Sequence, residues 1–99
     1  MSRAVRFTWE GAEQARVSDE WWREHREAAP GLFADELARG CRLLARAPDV
    51  GQRYASPSLP GVRRLFLARS RFHIYYLALP GEIVVVAVWS AVRGHGPAL

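Results

Sequence analysis

Phe72-His73-Ile74-Tyr75-Tyr76-Leu77-Ala78-Leu79-Pro80-Gly81-Glu82-Ile83-Val84-Val85-Val86-Ala87-Val88-Trp89-Ser90 is the stretch that decides the fold. A proline-glycine pair divides it into two runs of strand length, rich in β-branched and aromatic residues, and so short a link turns the chain back as a hairpin. In the first run Phe72, Ile74 and Tyr76 alternate with His73, Tyr75 and Leu77, so each set occupies one face. The second run, Ile83 to Trp89, is apolar on both faces, as a central strand covered on both sides would be. Just upstream, Val62 to Ala68 is a further strand candidate joined by Arg69-Ser70-Arg71, and links this short make an antiparallel meander.

Outward from the meander, residues 49–61 collect prolines and glycines, show no period and read as a loop. Before it, Phe33, Leu37, Cys41 and Leu44 recur at helical intervals, with Leu43 widening the stripe and Pro48 closing the helix. Gly40 within that stripe costs about 1 kcal/mol relative to alanine, which predicts close approach of another element. A first helix is predicted from Glu13 to about Ala29, ended by Pro30-Gly31. Ahead of it, residues 4–9 place Val5, Phe7 and Trp9 on one face of a first strand.

The order β-α-α-β-β-β is segregated rather than alternating, which predicts an α+β fold with a helical hairpin on one antiparallel sheet. Residues 1–90 form a single domain in this reading, and the glycine-rich tail, 91–99, is expected to be mobile at its end. Two helices can cover only one face of a small sheet, so the other apolar face is expected to meet a partner.

The chain has 99 residues, enough for one modest core. No apolar run approaches the roughly eighteen residues a spanning helix needs, and the N-terminus shows no signal-peptide pattern. No membrane association and a cytoplasmic location are therefore expected. Cys41 is the only cysteine, which rules out an internal disulfide and a cysteine-rich zinc site, and its place on the helical stripe makes it a core thiol. The net charge of +4 rests on fourteen arginines and no lysine, a balance that attracts nucleic acids and acidic proteins alike.

Several strings fall in order along the second half: Pro48-x-x-Gly51, Gly61-Val62-Arg63-Arg64-Leu65, Phe72-His73-Ile74-Tyr75-Tyr76, and Ile83 to Trp89 followed by Arg93-Gly94. Together with the element order and the length, they resemble the ParE/RelE superfamily of toxins from type II toxin-antitoxin systems, which includes ParE-like plasmid stabilisation proteins. The resemblance implies a toxin that arrests growth and is neutralised, as a hetero-oligomer, by a small acidic antitoxin whose C-terminal region wraps it. It implies no cofactor and no metal. ParE-type members inhibit DNA gyrase, whereas RelE-type members cut mRNA on the ribosome. The ParE-like reading leads here, a RelE-like ribosome-dependent mRNA endonuclease is the alternative, and a decayed, non-toxic binding module is a third.

Metal-free cleavage of RNA by its own 2′-hydroxyl needs a base, an acid for the departing oxygen, and cations on the phosphate. His73 and His95 are the catalytic candidates if the chain is a nuclease, since histidine suits either proton-transfer role. Arg63, Arg64, Arg69, Arg71, Tyr75 and Arg93 are the candidates for binding a target or a phosphate. In RelE-type relatives the place of His73 tends to hold a phosphate-binding arginine, and the tail position of Arg93 and His95 holds an arginine with an aromatic or a histidine. The chain departs from that pattern in having no lysine and no tail tyrosine, which weakens the nuclease reading.

Arg63-Arg64 and Arg69-x-Arg71 flank one hairpin with few acids nearby, which points to an anionic partner, the acidic antitoxin first and nucleic acid second. Arg16, Arg23, Arg26, Arg39, Arg42 and Arg46 interleave with acids on helix faces and read as solvated. Trp9, Trp21, Trp22 and Trp89 read as core or interface residues rather than as a stacking platform for bases.

Overall fold

The computed structural model describes residues 2–99 and contains β1 (Ala4–Phe7), α1 (Trp9–His25), α2 (Leu32–Arg46), β2 (Gln52–Arg53), β3 (Arg63–Leu67), β4 (Phe72–Leu79) and β5 (Glu82–Ser90). The strands form one sheet in the order β1-β5-β4-β3-β2, with the helices packed on it. The architecture is therefore α+β, and β4 and β5 run over the spans their sequence predicts. Gly81, at φ +80°, takes the left-handed position that glycine adopts without strain and closes the β4–β5 turn.

Three features depart from the sequence reading. First, the sheet is not wholly antiparallel, because β1 pairs parallel to β5, with Val5 opposite Ile83 and Phe7 opposite Val85. Two helices and the meander separate these strands in the chain, so no hairpin link constrains their direction. Second, the loop 49–61 contains β2, whose Gln52 and Arg53 pair with Arg64 and Arg63. Two paired residues leave too short a pattern for periodicity to detect. Third, Trp9 is not a strand residue. Thr8 accepts a hydrogen bond from the Gly11 amide at 3.0 Å and caps α1, so Trp9 opens the helix and stands exposed. The same cap starts α1 four residues earlier than periodicity suggests. Its end also comes earlier, at His25, where Arg26 leaves helical angles and the Trp22 indole donates to the Ala29 carbonyl.

The beginning of α1 is stitched to β5. The Thr8 amide donates to the Val85 carbonyl at 2.9 Å, and a Cβ on Gly11 would lie 2.7 Å from that same oxygen. Beyond the end of β1, the Gln14 side chain accepts from the Val88 amide at 2.8 Å. Gly40 of α2 meets the expectation of a close approach, since a Cβ there would lie 2.9 Å from Ile74 Cδ1 and 3.0 Å from Leu67 Cδ2.

Two apolar clusters sandwich the sheet. Trp22, Phe33, Leu44, Ile74, Tyr76, Ile83, Val85 and Val88 fill the helix side, with Leu37 and Cys41 packed against them. Burial pushes the Cys41 thiol up, away from the reactive thiolate. Val62, Tyr75 and Ala87 centre the other side, where Tyr54, Leu59 and Leu99 lie over them. The second face is thus covered in part by the loop after β2 and by the tail, which the sequence reading left to a partner.

A β-bulge places Val86 as an extra residue, because Tyr75 opposes Ala87 while Tyr76 opposes Val85. It reverses the alternation along β5, so Val88 packs with the helices and Val86 with the opposite cluster. Strict alternation would put the two on one face.

Leu44 is wholly buried, so Leu44→Ala should lower stability by about 2–5 kcal/mol in urea unfolding. Arg42→Ala, on the exposed side of the same helix, should shift it by less than about 0.5 kcal/mol. Equal midpoints for the two variants would contradict the packing of α2.

Candidate functional site

The face of the sheet turned away from the helices gathers five of the residues singled out in the sequence: Arg64, His73, Tyr75, Arg93 and His95. Register brings the first three together. Phe66 opposes His73, which opposes Trp89; two pairs further along, Arg64 opposes Tyr75, which opposes Ala87. The His73 ring lies 5.2 Å from Phe66 and 5.8 Å from Tyr75. Burial, and then the Arg64 charge, hold His73 below its ordinary pKa and favour the neutral imidazole.

Arg64 reaches Tyr75 Oη only at 3.5 Å, and its guanidinium sits 5.1 Å from the centre of the Tyr54 ring. The tail supplies the other two residues. Arg93 lies 4.1 Å over the Trp89 ring, and the Trp89 indole donates to the His95 carbonyl at 2.9 Å. Tyr75 is only 2% exposed. A Cβ on Gly96 would meet Tyr54 Oη at 2.5 Å, so the tail passes close over this face.

Arg63 points the other way. Its guanidinium donates to the Gly51 carbonyl at 2.8 Å and the Asp49 carbonyl at 3.2 Å, and the Asp49 carboxylate lies 3.9 Å away. Beside it, Tyr76 Oη donates to the Pro48 carbonyl at 2.7 Å and accepts from the Gly51 amide at 2.9 Å. Burial pushes the Tyr76 hydroxyl up, which keeps it a donor. Any side chain at position 51 would collide with that hydroxyl, its Cβ at 2.6 Å. The Pro48-x-x-Gly51 string and Arg63 therefore hold a loop, and Arg63 has less of its charge free for an external anion than its neighbour.

Arg69 and Arg71 stand at the other end of β3, in the turn to β4, so the two arginine pairs do not form one patch. Arg71 is held at φ 63°, unusual outside glycine. The Glu36 carboxylate stabilises the turn, accepting from the Arg69 and Ser70 amides at 2.9 and 2.8 Å. Among the described residues, no three His, Cys, Asp or Glu side chains are grouped as metal ligands.

Sequence reasoning missed Tyr54, Phe66 and Glu36. Tyr54 and Glu36 act across contacts distant in sequence, for which no local signal exists. Phe66 was legible as the residue that alternates with Leu65 and Leu67 and so faces outward.

The depressed pKa of His73 has a direct consequence for stability. Above its ordinary value of 6.5 the ring is neutral in both folded and unfolded chains. As pH falls through that value the unfolded chain takes up the proton first, so stability drops until the folded-state pKa is passed. His73→Gln should flatten the loss of unfolding free energy between about pH 7 and pH 5. Identical pH profiles for variant and wild type would contradict the partly buried, neutral ring.

No family model matches the sequence, and no curated protein matches it. Solved structures do resemble it. A chain of the chromosomal ParDE TA system from P. aeruginosa superposes with a TM-score of 0.70 at 19% identity, covering 90% of this chain and 96% of that one. A chain of the E. coli DinJ-YafQ toxin-antitoxin complex superposes with a TM-score of 0.66 at 10% identity, covering 97% of this chain and 100% of that one. At these identities the likeness is one of fold, and it spans nearly the whole length: the chain has the ParE/RelE-like fold.

Proposed function

We propose that this chain is the toxin of a toxin-antitoxin pair, acting in the cytoplasm and neutralised by a small acidic antitoxin. It arrests growth as ParE-like proteins do, by contact with DNA gyrase. The shared fold with chains from two toxin-antitoxin structures supports the class. No helix among the described residues is long and apolar enough to cross a membrane, in keeping with a cytoplasmic target.

One observation favours contact over cleavage. The groups that a metal-free nuclease would need are engaged with the protein's own aromatic rings: Arg64 with Tyr54, Arg93 and His95 with Trp89. Tyr75 is buried beneath them. A catalytic acid and base must reach the reacting atoms within hydrogen-bond distance, and such a face offers a basic, aromatic surface more readily than a cleft. The alternative, a RelE-like ribosome-dependent mRNA endonuclease, draws its support from His73, whose neutral ring beside Arg64 is the protonation state of a general base.

Two assays on the purified chain separate these readings. Gyrase supercoiling should be inhibited while ribosome-bound message stays intact; cleaved message with normal supercoiling would reverse the assignment. In cells, His73→Gln and His95→Gln should leave growth arrest largely intact, whereas Arg93→Glu or truncation after Ser90 should weaken it. A nuclease that loses its acid or base should slow by about 10²- to 10⁴-fold. A folded glutamine variant that is inert and no longer cuts message would therefore put the endonuclease first.

A further inference from the structure

A groove of about 360 Å³ runs between the second half of α1 and the β3–β4 turn. It shares only Arg93 with the sheet face described above. Trp22 and Phe72 form its floor, and Val17 and Trp21 stand exposed on its wall.

Four arginines, Arg26, Arg69, Arg71 and Arg93, line the same groove, and no acidic residue does. None of the four makes an ion pair among the described residues, whereas Arg16 and Arg23 on the same helix are paired with Glu13, Glu20 and Asp19. The Glu36 carboxylate at the turn is engaged with the Arg69 and Ser70 amides, and four like charges around one hollow repel one another and create a field that an anionic ligand relieves.

The aromatic rings decide what kind of anion fits. Trp21 is stacked on His25 at 4.4 Å, and the Arg26 guanidinium lies 5.1 Å from the Trp21 ring and 5.6 Å from Trp22. Phe72 packs against Phe33 at 4.7 Å. Binding of single-stranded nucleic acid relies on open ring faces for base stacking, and these rings are already engaged with His25, Arg26 and Phe33. What remains is an apolar floor the size of one or two side chains, ringed by guanidinium groups.

We infer that this groove seats an acidic segment of the partner protein. The segment places one large aliphatic or aromatic side chain on the Trp22–Phe72 floor, and its carboxylates meet Arg26, Arg69 and Arg71. The inference rests on the reading of the chain as half of a two-protein pair, and it locates the contact on α1 and the β3–β4 turn rather than on the tail-covered face of the sheet.

The test titrates the full chain with the protein encoded by the adjacent reading frame and compares Arg26→Glu and Arg71→Glu with Arg42→Glu, which changes charge equally outside the groove. Val17→Asp provides a second route, since it adds a repelling carboxylate at an exposed position without touching the core. Melting curves identify any variant that fails to fold. The expected result is wild-type affinity for Arg42→Glu and a loss of about ten- to a hundredfold for the groove variants. Groove variants that bind like wild type would overturn the inference while leaving the two-protein reading intact. A wild-type chain that does not bind the neighbouring protein would remove that reading and the inference with it. Oligothymidylate is the competing probe: binding that Arg71→Glu abolishes, with partner affinity unchanged, would make the groove a nucleic-acid site and overturn the inference.

Discussion

The rest of the molecule depends on β5 being buried on both of its faces. A strand whose middle, Ile83 to Val88, is all valine, isoleucine and alanine cannot leave either side to water, and each fully buried valine or isoleucine contributes roughly 1.5–3 kcal/mol relative to exposure. On one side the two helices supply the cover. On the other, the segment from Tyr54 to Val62 and the tail down to Leu99 supply it. The chain needs both covers because β1 and β4 occupy the two edges of β5 and leave only its faces to be satisfied. The bulge at Val86 sets which residue serves which cover, and the Thr8, Gly11 and Gln14 contacts fix α1 against the same strand.

That constraint separates the basic residues into two neighbourhoods. Because β3 spans the sheet from the loop at Gly51 to the turn at Ser70, Arg64 and the pair Arg69 and Arg71 lie at opposite ends of it. Arg64 joins His73, Arg93 and the aromatic rings on the tail-covered face. Arg69 and Arg71 join Trp21 and Arg26 across the helical side. The chain thus presents two distinct surfaces, each cationic and each backed by aromatic residues. Arg93 stands where they adjoin.

Much of this was legible in the sequence, and the limits have physical causes. The Pro80-Gly81 hairpin, the facing of Phe72, Ile74 and Tyr76, and the stripe from Phe33 to Leu44 are local patterns, and local patterns survive folding. So does the inference from Gly40, since a glycine in a good helix has to be explained by space. What was not legible is set by contacts distant in sequence. The parallel direction of β1 follows from tertiary packing, and the bulge at Val86 has no signature in a run of valines. Arg63 and Arg64 are chemically identical neighbours. Strand alternation sends one to brace Gly51 and the other to the tail-covered face, and only the register with Tyr76 and Tyr75 says which is which. The tail, glycine-rich and without period, gave no hint that Leu99 would lie against Val62, Tyr75 and Ala87.

Hydrogen exchange of the β5 and β4 amides, compared between the full chain and one truncated after Ser90, tests this two-sided burial most directly. The account predicts that β5 contains the slowest-exchanging amides of the full chain. Truncation should speed exchange around Tyr75 and Ala87 while leaving the helices and their contacts with Ile83 and Val85 protected. Unchanged protection on removal of the tail would contradict the account, because the second face would then be stable without the cover assigned to it.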